Sequence, residues 1–149
     1  MINEDKQVQR FLKVYKEKLP AIDPAWRDEV QQVAADMHEH LFEEQVTISR
    51  LKEKHHIHRK SFPVWFKRAL VFYPREYLIH HRIEAGKLLL KEAEASVTEI
   101  ALAVGFSSLS SFCNTFKNRE GISPTQWRER NIRTETKLRI NLRRFLRRA

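Results

Sequence analysis

The fold of this chain is decided by residues 96–128, which read SVTEIALAVGFSSLSSFCNTFKNREGISPTQWR. Ser96 and Glu99 have the spacing of a capping box, in which each side chain accepts a hydrogen bond from the other residue's backbone amide, and so they predict the start of a helix. Gly105 is expected to end that helix, because glycine adopts the left-handed conformation without a steric penalty. A second helix follows and ends before Gly121. This arrangement predicts a helix-turn-helix unit, whose second helix can enter a DNA major groove.

The second helix of this unit has two different sides. Its inward positions are predicted to be Leu109, Phe112, Cys113 and Phe116. Its outward positions are predicted to be Ser110, Ser111, Asn114, Thr115, Asn118 and, beside them, Lys117. Small polar side chains on an exposed stripe suit base edges and phosphates. An ordinary solvated surface has the same pattern, so the spacing alone leaves both interpretations open.

The chain contains an internal repeat with an offset of fifty residues. Five positions of the first copy are matched in type and spacing by five positions of the second: Phe62, Phe66, Lys67, Pro74 and Tyr77 correspond to Phe112, Phe116, Lys117, Pro124 and Trp127. The repeat predicts that the same small helical unit is built twice, and two copies indicate a duplication and not a solenoid.

The composition predicts an all-α fold. The 149 residues match one ordinary domain, and three glycines and five prolines leave few positions for hairpins. Asp23 is expected to cap a helix over residues 24–44, with Pro24 at its first position. His80 and His81 are expected on the surface of a helix over residues 74–91. Apolar spacing and breaks outside the unit above predict helices over residues 4–18, 24–44, 47–55, 61–70, 74–91, 124–130 and 133–149.

Charge is divided unevenly along the chain. Residues 1–46 hold six bases and ten acids, whereas residues 47–149 hold 22 bases and nine acids. A compact region with that excess of positive charge is destabilised by self-repulsion, which a polyanionic partner relieves. Nucleic acid is therefore the first partner to consider, and an anionic membrane surface is the second.

The sequence gives no support for catalysis. Cys113 is the only cysteine, so an internal disulfide or multi-cysteine zinc site is excluded. His55, His56 and His58 lack the carboxylates or thiols that would complete a metal site, and no phosphate-binding glycine loop is present. We expect no catalytic residue, no metal and no cofactor. Without a secretory signal or a run of 18 apolar residues, we expect a cytoplasmic protein, associated with the nucleoid, that does not span a membrane.

The residues that punctuate the second unit resemble a known family. The stretch carries Ile100, Ala101, Val104, Gly105, Phe106, Ser107, Ser108, Ser110, Phe112, Phe116, Lys117, Gly121, Ile122, Ser123, Pro124, Trp127 and Arg128 at the spacing of the second helix-turn-helix of AraC/XylS transcription regulators. Residues 82–89 resemble the family's central helix. The resemblance implies seven helices in two helix-turn-helix units that bind successive major-groove segments. It also implies a regulator, commonly an activator, that contacts RNA polymerase.

Carried over by position, the resemblance implies the contacts of the second unit. Bases would be met by Leu109, Ser110, Ser111 and Asn114. Phosphates would be met by Lys117, by Asn118 and by backbone amides at the helix start, near Ser108. Asn114 stands where relatives often have arginine. Because asparagine pairs with adenine and arginine with guanine, the preferred DNA sequence should differ from that of such relatives.

The first unit departs from the family pattern. His56 and Val71 stand at positions where glycine is usual, and Pro63 lies where the recognition helix would be in mid-turn. Since proline inside a helix costs about 3 kcal/mol or more, we expect this helix to begin late, with Ser61 as its cap and Pro63 in its first turn. Its contacts would be Lys60, Ser61 and Val64 toward bases, with His58 and Arg59 toward phosphates. This unit is expected to contribute mainly affinity.

These observations divide the chain into a helical extension over residues 1–45, the double helix-turn-helix domain over residues 46–131 and a basic tail over residues 132–149. The extension is too small to enclose a typical ligand pocket, and it is a candidate surface for a second copy or another protein. The tail is interpreted as an extra DNA contact, as a helix on an anionic membrane or as a helix packed on the domain. The rival to a sequence-specific regulator is a structural protein that binds nucleic acid without sequence preference.

Overall fold

The computed structural model describes residues 2–148, with side chains for residues 5–132 and 138–148. The described part is all-α, as predicted, with eight helices and no strand. The helices are α1 (Ile2–Glu17), α2 (Asp28–Glu39), α3 (Ile48–Lys54), α4 (Phe62–Leu70), α5 (Pro74–Glu92), α6 (Val97–Ala103), α7 (Leu109–Glu120) and α8 (Pro124–Arg148). Within residues 2–148, no helix is both long enough and apolar enough to cross a bilayer.

Two hydrophobic cores lie along the central helix α5. The first core joins α2, α3 and α4 to the beginning of α5, where Tyr77 and Leu78 are buried. The second core joins α1, α6 and α7 to the rest of α5, where Ile83 and Leu89 are fully buried. The start of α8 packs on the second core through the half-buried Trp127. Each core therefore supports one helix-turn-helix unit, α3–α4 or α6–α7, and α5 connects them.

The geometry of the aromatic rings confirms the internal repeat. The rings of Phe62 and Phe66 lie 6.0 Å apart at 58°, and those of Phe112 and Phe116 lie 5.6 Å apart at 56°. All four side chains are fully buried. The next pair repeats as well, because Phe66 meets the ring of Tyr77 at 79° and Phe116 meets the ring of Trp127 at 78°. The two units are built on the same core geometry.

The N-terminal helices span both units. Val8 and Leu12 of α1 are buried in the second core, and Met37 of α2 is buried in the first. Two polar contacts connect these helices to α5: the Tyr15 hydroxyl lies 2.7 Å from Nδ1 of His81, and Nε2 of His38 lies 2.7 Å from the Tyr77 hydroxyl. The prediction that His81 lies on the surface is therefore wrong, because α1 covers it.

The start of α2 differs from the prediction. Asp23 and Pro24 do not begin the helix, which starts at Asp28. The Asp23 carboxylate instead accepts a hydrogen bond from the amide of Ala25 at 2.8 Å, and its carbonyl accepts one from the amide of Trp26 at 3.1 Å. An aspartate that binds its own backbone two residues onward forms a turn as readily as it caps a helix.

The structure joins the last two predicted helices, over residues 124–130 and 133–149, into one helix. α8 begins at Pro124 as expected, but it continues to Arg148 and does not end near residue 130. Residues 138–148 are all exposed, including Leu138, Leu142, Phe145 and Leu146. The interpretation in which the tail packs on the domain is therefore wrong for these residues. An apolar stripe and a basic face remain open to a partner.

Candidate nucleic-acid interface

The second unit presents its predicted reading surface to solvent. Ser110, Asn114 and Lys117 follow each other at helical spacing along α7, and all three are exposed. Leu109 was predicted both inward and as a base contact, and at 39% exposure it belongs to the outer surface. The opposite side of α7 is fixed by the buried Phe112. The exposed residues can therefore meet a partner without disturbing the core.

Local hydrogen bonds fix the start of α7. The Ser108 hydroxyl accepts a hydrogen bond from the amide of Ser111 at 3.1 Å, so Ser108 is the cap. The preceding helix α6 begins with the predicted capping box, because the Ser96 hydroxyl accepts from the Glu99 amide at 3.2 Å and the Glu99 carboxylate accepts from the Ser96 amide at 2.7 Å. These neighbouring contacts explain why the sequence alone predicts this unit.

A buried arginine holds the turn between α6 and α7. Gly105 has φ +100°, and a Cβ at this position would lie 2.9 Å from the guanidinium of Arg82. That guanidinium donates hydrogen bonds to the carbonyls of Gly105 at 3.2 Å, Leu41 at 2.9 Å and Glu43 at 2.8 Å. Burial lowers the pKa of Arg82 to about 10, and the side chain stays charged at neutral pH. Arg82 thus connects the segment after α2 to the turn that positions α7.

The first unit has the late helix start that its proline predicts. α4 begins at Phe62 with Ser61 at the cap position and Pro63 in the first turn. His56 and Val71 adopt φ values of +54° and +77°, so the two non-glycine residues do occupy positions that favour glycine. Val64 is 43% exposed on the outer side of α4. At this position α4 therefore offers methyl groups, whereas α7 offers the amide of Asn114.

All twelve predicted contact residues are exposed. They are His58, Arg59, Lys60, Ser61 and Val64 in the first unit, and Ser108, Leu109, Ser110, Ser111, Asn114, Lys117 and Asn118 in the second. Lys67 and Arg68 are also exposed on α4, although neither is among the predicted contacts. The repeat was the signal that could have found them, because these two residues correspond to Lys117 and Asn118.

The histidines near the first unit make protein contacts. Nε2 of His55 lies 2.8 Å from the Asp36 carboxylate, and Lys54 reaches the same carboxylate at 2.7 Å. Burial lowers the pKa of His81 to about 4, with further lowering by the neighbouring His80 and His38. His55 supports the packing of α2 on α3, and His81 is an uncharged part of the interface between α1 and α5.

Comparisons with known proteins agree with this geometry. The profile of a family described as "Helix-turn-helix domain" matches residues 51–130. The HTH-type transcriptional regulator YobQ of Bacillus subtilis is 36% identical over 94 residues, which cover 63% of this chain and 39% of YobQ. The HTH-type transcriptional regulator MtrA of Neisseria gonorrhoeae is 41% identical over 64 residues, 43% of this chain and 21% of MtrA. The chain therefore matches well under half the length of these relatives.

Solved structures show the same fold. The DNA-binding domain of AdpA, a global transcriptional factor, in complex with a target DNA, has a TM-score of 0.61 and 29% identity; the match covers 69% of this chain and 92% of that one. An AraC-type transcriptional regulator from Chromobacterium violaceum has a TM-score of 0.55 and 26% identity, covering 69% and 91% of the two chains. Together with the two helix-turn-helix units on α5, these matches show that the chain belongs to the AraC-type helix-turn-helix family of transcriptional regulators.

Proposed function

We propose that this chain is a sequence-specific DNA-binding regulator of transcription that reads the major groove mainly through α7. The observation that carries this proposal is the exposed stripe of Ser110, Asn114 and Lys117 on a helix whose other side is buried. An asparagine can pair with adenine through two hydrogen bonds, whereas Val64, at the corresponding position of α4, can only touch a thymine methyl group. Specificity is therefore assigned to the second unit and affinity to both.

The electrostatics of α7 agree with an anionic partner. Glu120 is the acidic residue of α7. Its carboxylate lies 3.3 Å from Nζ of Lys87 on α5, and so it faces α5 and not the exposed stripe that carries Asn114. Lys117 and Asn118 are exposed on the outer side. Positive and polar groups beside a base-reading stripe are the arrangement that holds a recognition helix against phosphates.

The test starts from a DNA site selected from a random pool by the wild-type protein. Affinity is then measured by fluorescence anisotropy for that site and for a scrambled duplex, at several salt concentrations. A sequence-specific regulator keeps a large ratio between the two affinities as salt rises, whereas a non-specific binder loses both together. A ratio near one at every salt concentration would favour the structural nucleic-acid-binding protein.

Substitution of Asn114 tests the assignment of base reading. Asn114→Ala is expected to weaken binding by about 1–3 kcal/mol on the selected site only. The matched control is Asn118→Ala, which removes the same amide from a predicted phosphate contact and should weaken binding to both duplexes equally. Equal weakening by Asn114→Ala would contradict its role in base recognition.

We further propose that the regulator activates transcription by contacting RNA polymerase from the DNA-bound state. Transcription from a promoter that carries the selected site should rise when the protein is added to purified polymerase. A fall in transcript would identify a repressor. A separate surface, on α1 and α2, is proposed for another protein or a second copy. This surface is mainly polar, because Val8, Leu12 and Val33 are buried within the chain.

The exposed tail is assigned an additional DNA contact. Arg139, Arg143 and Arg147 are exposed along α8 and can bind phosphates without regard to sequence. Deletion of residues 133–149 is expected to lower affinity for the selected and scrambled duplexes alike. Unchanged affinity would remove the tail from the interface.

A further inference from the structure

We propose that Arg27 and Arg68 bind the phosphate backbone of DNA along one side of α4, and that Trp65 is the platform that holds Arg27 there. This inference rests on the proposed function, because it takes α4 to lie in a major groove. The residues concerned line a cleft of about 260 Å³, which we call the Arg27 cleft and which is formed by Ala25, Trp26, Arg27, Val30, Trp65, Arg68 and Ala69.

Arg27 comes from the segment before α2 but lies against the recognition helix of the first unit. Its guanidinium carbon is 3.7 Å from the centre of the Trp65 ring, and that of Arg59 is 5.9 Å from the same ring. A guanidinium over an indole is attracted by the negative face of the ring, so Trp65 restricts where Arg27 can lie. Arg27 is nonetheless exposed and keeps donors for another ligand.

The position of the cleft on α4 suits a phosphate strand. A helix in a major groove has one strand on each side, so residues flanking its base-facing stripe lie nearest the phosphates. Val64 marks that stripe, and Trp65 and Arg68, three residues apart on the helix, share the side that faces Arg27. Lys67 lies on the other side, 4.4 Å from the Tyr73 ring.

Among the side chains that the structure describes, none neutralises the charges of the cleft. In the part of the chain that the structure describes, no carboxylate oxygen lies within 4.0 Å of the guanidinium nitrogens of Arg27 or Arg68. Arg59 differs, because its Nε lies 4.0 Å from the Glu29 carboxylate. Arg27 and Arg68 are therefore the stronger candidates for phosphates. Their donors lie beside Pro63 and Val64, whose side chains offer no hydrogen bonds.

The experiment compares Arg27→Gln and Arg68→Gln with the wild type on the selected and scrambled duplexes over a salt series. Each variant is expected to bind both duplexes about fivefold more weakly near 0.15 M salt and to lower the slope of log affinity against log salt by about 0.9, the value for one phosphate contact. The matched control is Arg10→Gln, which removes the same charge from the exposed surface of α1 and should leave the slope unchanged.

The platform is tested by a double-mutant cycle. In a Trp65→Leu background, whose folding is verified by a thermal melt, Arg27→Gln should change affinity by less than twofold, because Arg27 is no longer held beside α4. If Arg27 only packs on Trp65, Arg27→Gln lowers the melting temperature and leaves the salt slope unchanged, and that result overturns the inference.

The inference and the proposed function fail in different measurements. A wild-type protein that binds both duplexes equally contradicts the sequence-specific regulator, while the slopes of the Arg27 and Arg68 variants still decide the phosphate contact. A specific wild-type protein with unchanged variant slopes contradicts the inference alone. A wild-type protein that binds no duplex overturns both.

Discussion

Replacement of Val71 by glycine should stabilise the protein. Val71 follows α4 with φ +77° and ψ −34°, a conformation that a β-branched residue rarely adopts. Gly121 occupies the corresponding place after α7, with φ +81° and ψ −10°. The two backbones are held in the same way, since the amides of Val71 and Gly121 each donate to a carbonyl four residues earlier at 2.8 Å. Positions 71 and 121 are equivalent in the repeat and have similar backbone angles, so they allow valine and glycine to be compared directly.

The expected gain follows from two opposing effects. Relief of the left-handed conformation is worth about 1–2 kcal/mol for an L-residue, and more for a β-branched one. Glycine adds freedom to the unfolded chain, which costs about 0.4–1 kcal/mol. Little packing is lost, because Val71 is 74% exposed. The Val71→Gly variant should therefore be more stable by about 1 kcal/mol, which raises the melting temperature by about 2–4 °C.

The assay is thermal and urea unfolding followed by circular dichroism, with Gly121→Val as the reciprocal variant. A Cβ at Gly121 would meet nothing within 4 Å, so the cost of Gly121→Val is conformational and should be about 1 kcal/mol or more. A Val71→Gly protein that is no more stable than the wild type, beside a Gly121→Val protein that is clearly destabilised, would refute the reasoning. It would mean that Val71 is stabilised by contacts that exposure does not reveal.

Two further predictions concern α5. Arg82→Met should lower the free energy of unfolding by about 3 kcal/mol, because it removes the donor from the buried carbonyls of Leu41 and Gly105 and from the partly buried carbonyl of Glu43. Urea unfolding measures this loss, and a value below about 1 kcal/mol would contradict the prediction. His81 is neutral when folded, with a pKa near 4, but titrates near 6.5 when unfolded. Between these pH values the unfolded state therefore binds more protons than the folded state. The free energy of unfolding should fall as the pH drops from about 6.5 and should level off below about 4. The total fall should be about 1–2 kcal/mol after allowance for the partial exposure of His81. His81→Phe should remove that part of the pH dependence, and an unchanged pH profile would show that other groups cause it.

The second helix-turn-helix could be predicted because its signals are local. The capping box of Ser96 and Glu99, the left-handed Gly105 and the cap of α7 each depend on residues fewer than five positions apart. Such contacts form in whatever surroundings the helix has, so the sequence specifies them directly. The stripe that carries Asn114 follows from the same register, since buried phenylalanines on one side leave the polar residues on the other.

The length of α8 and the course of the N-terminal helices were harder to predict. Between Pro124 and residue 148 the sequence contains no glycine or further proline, but the family-like spacing ends near residue 130, where a basic tail begins, and this change predicts a helix end that the structure does not have. Asp23 and Pro24 look like a helix start, but the same pair also forms a turn. Local preference does not decide between these outcomes, and packing does.

By itself, the sequence determined the helical class, the duplication and the residues that α7 turns outward, because caps, periodicity and glycine positions act over short distances along the chain. Only the tertiary structure brought Arg27 onto Trp65, placed Arg82 among four carbonyls and covered His81 with α1. Those contacts join residues more than twenty positions apart, and each depends on which helices share a core. The periodicity of a helix identifies its apolar side but does not identify the helix that packs against that side.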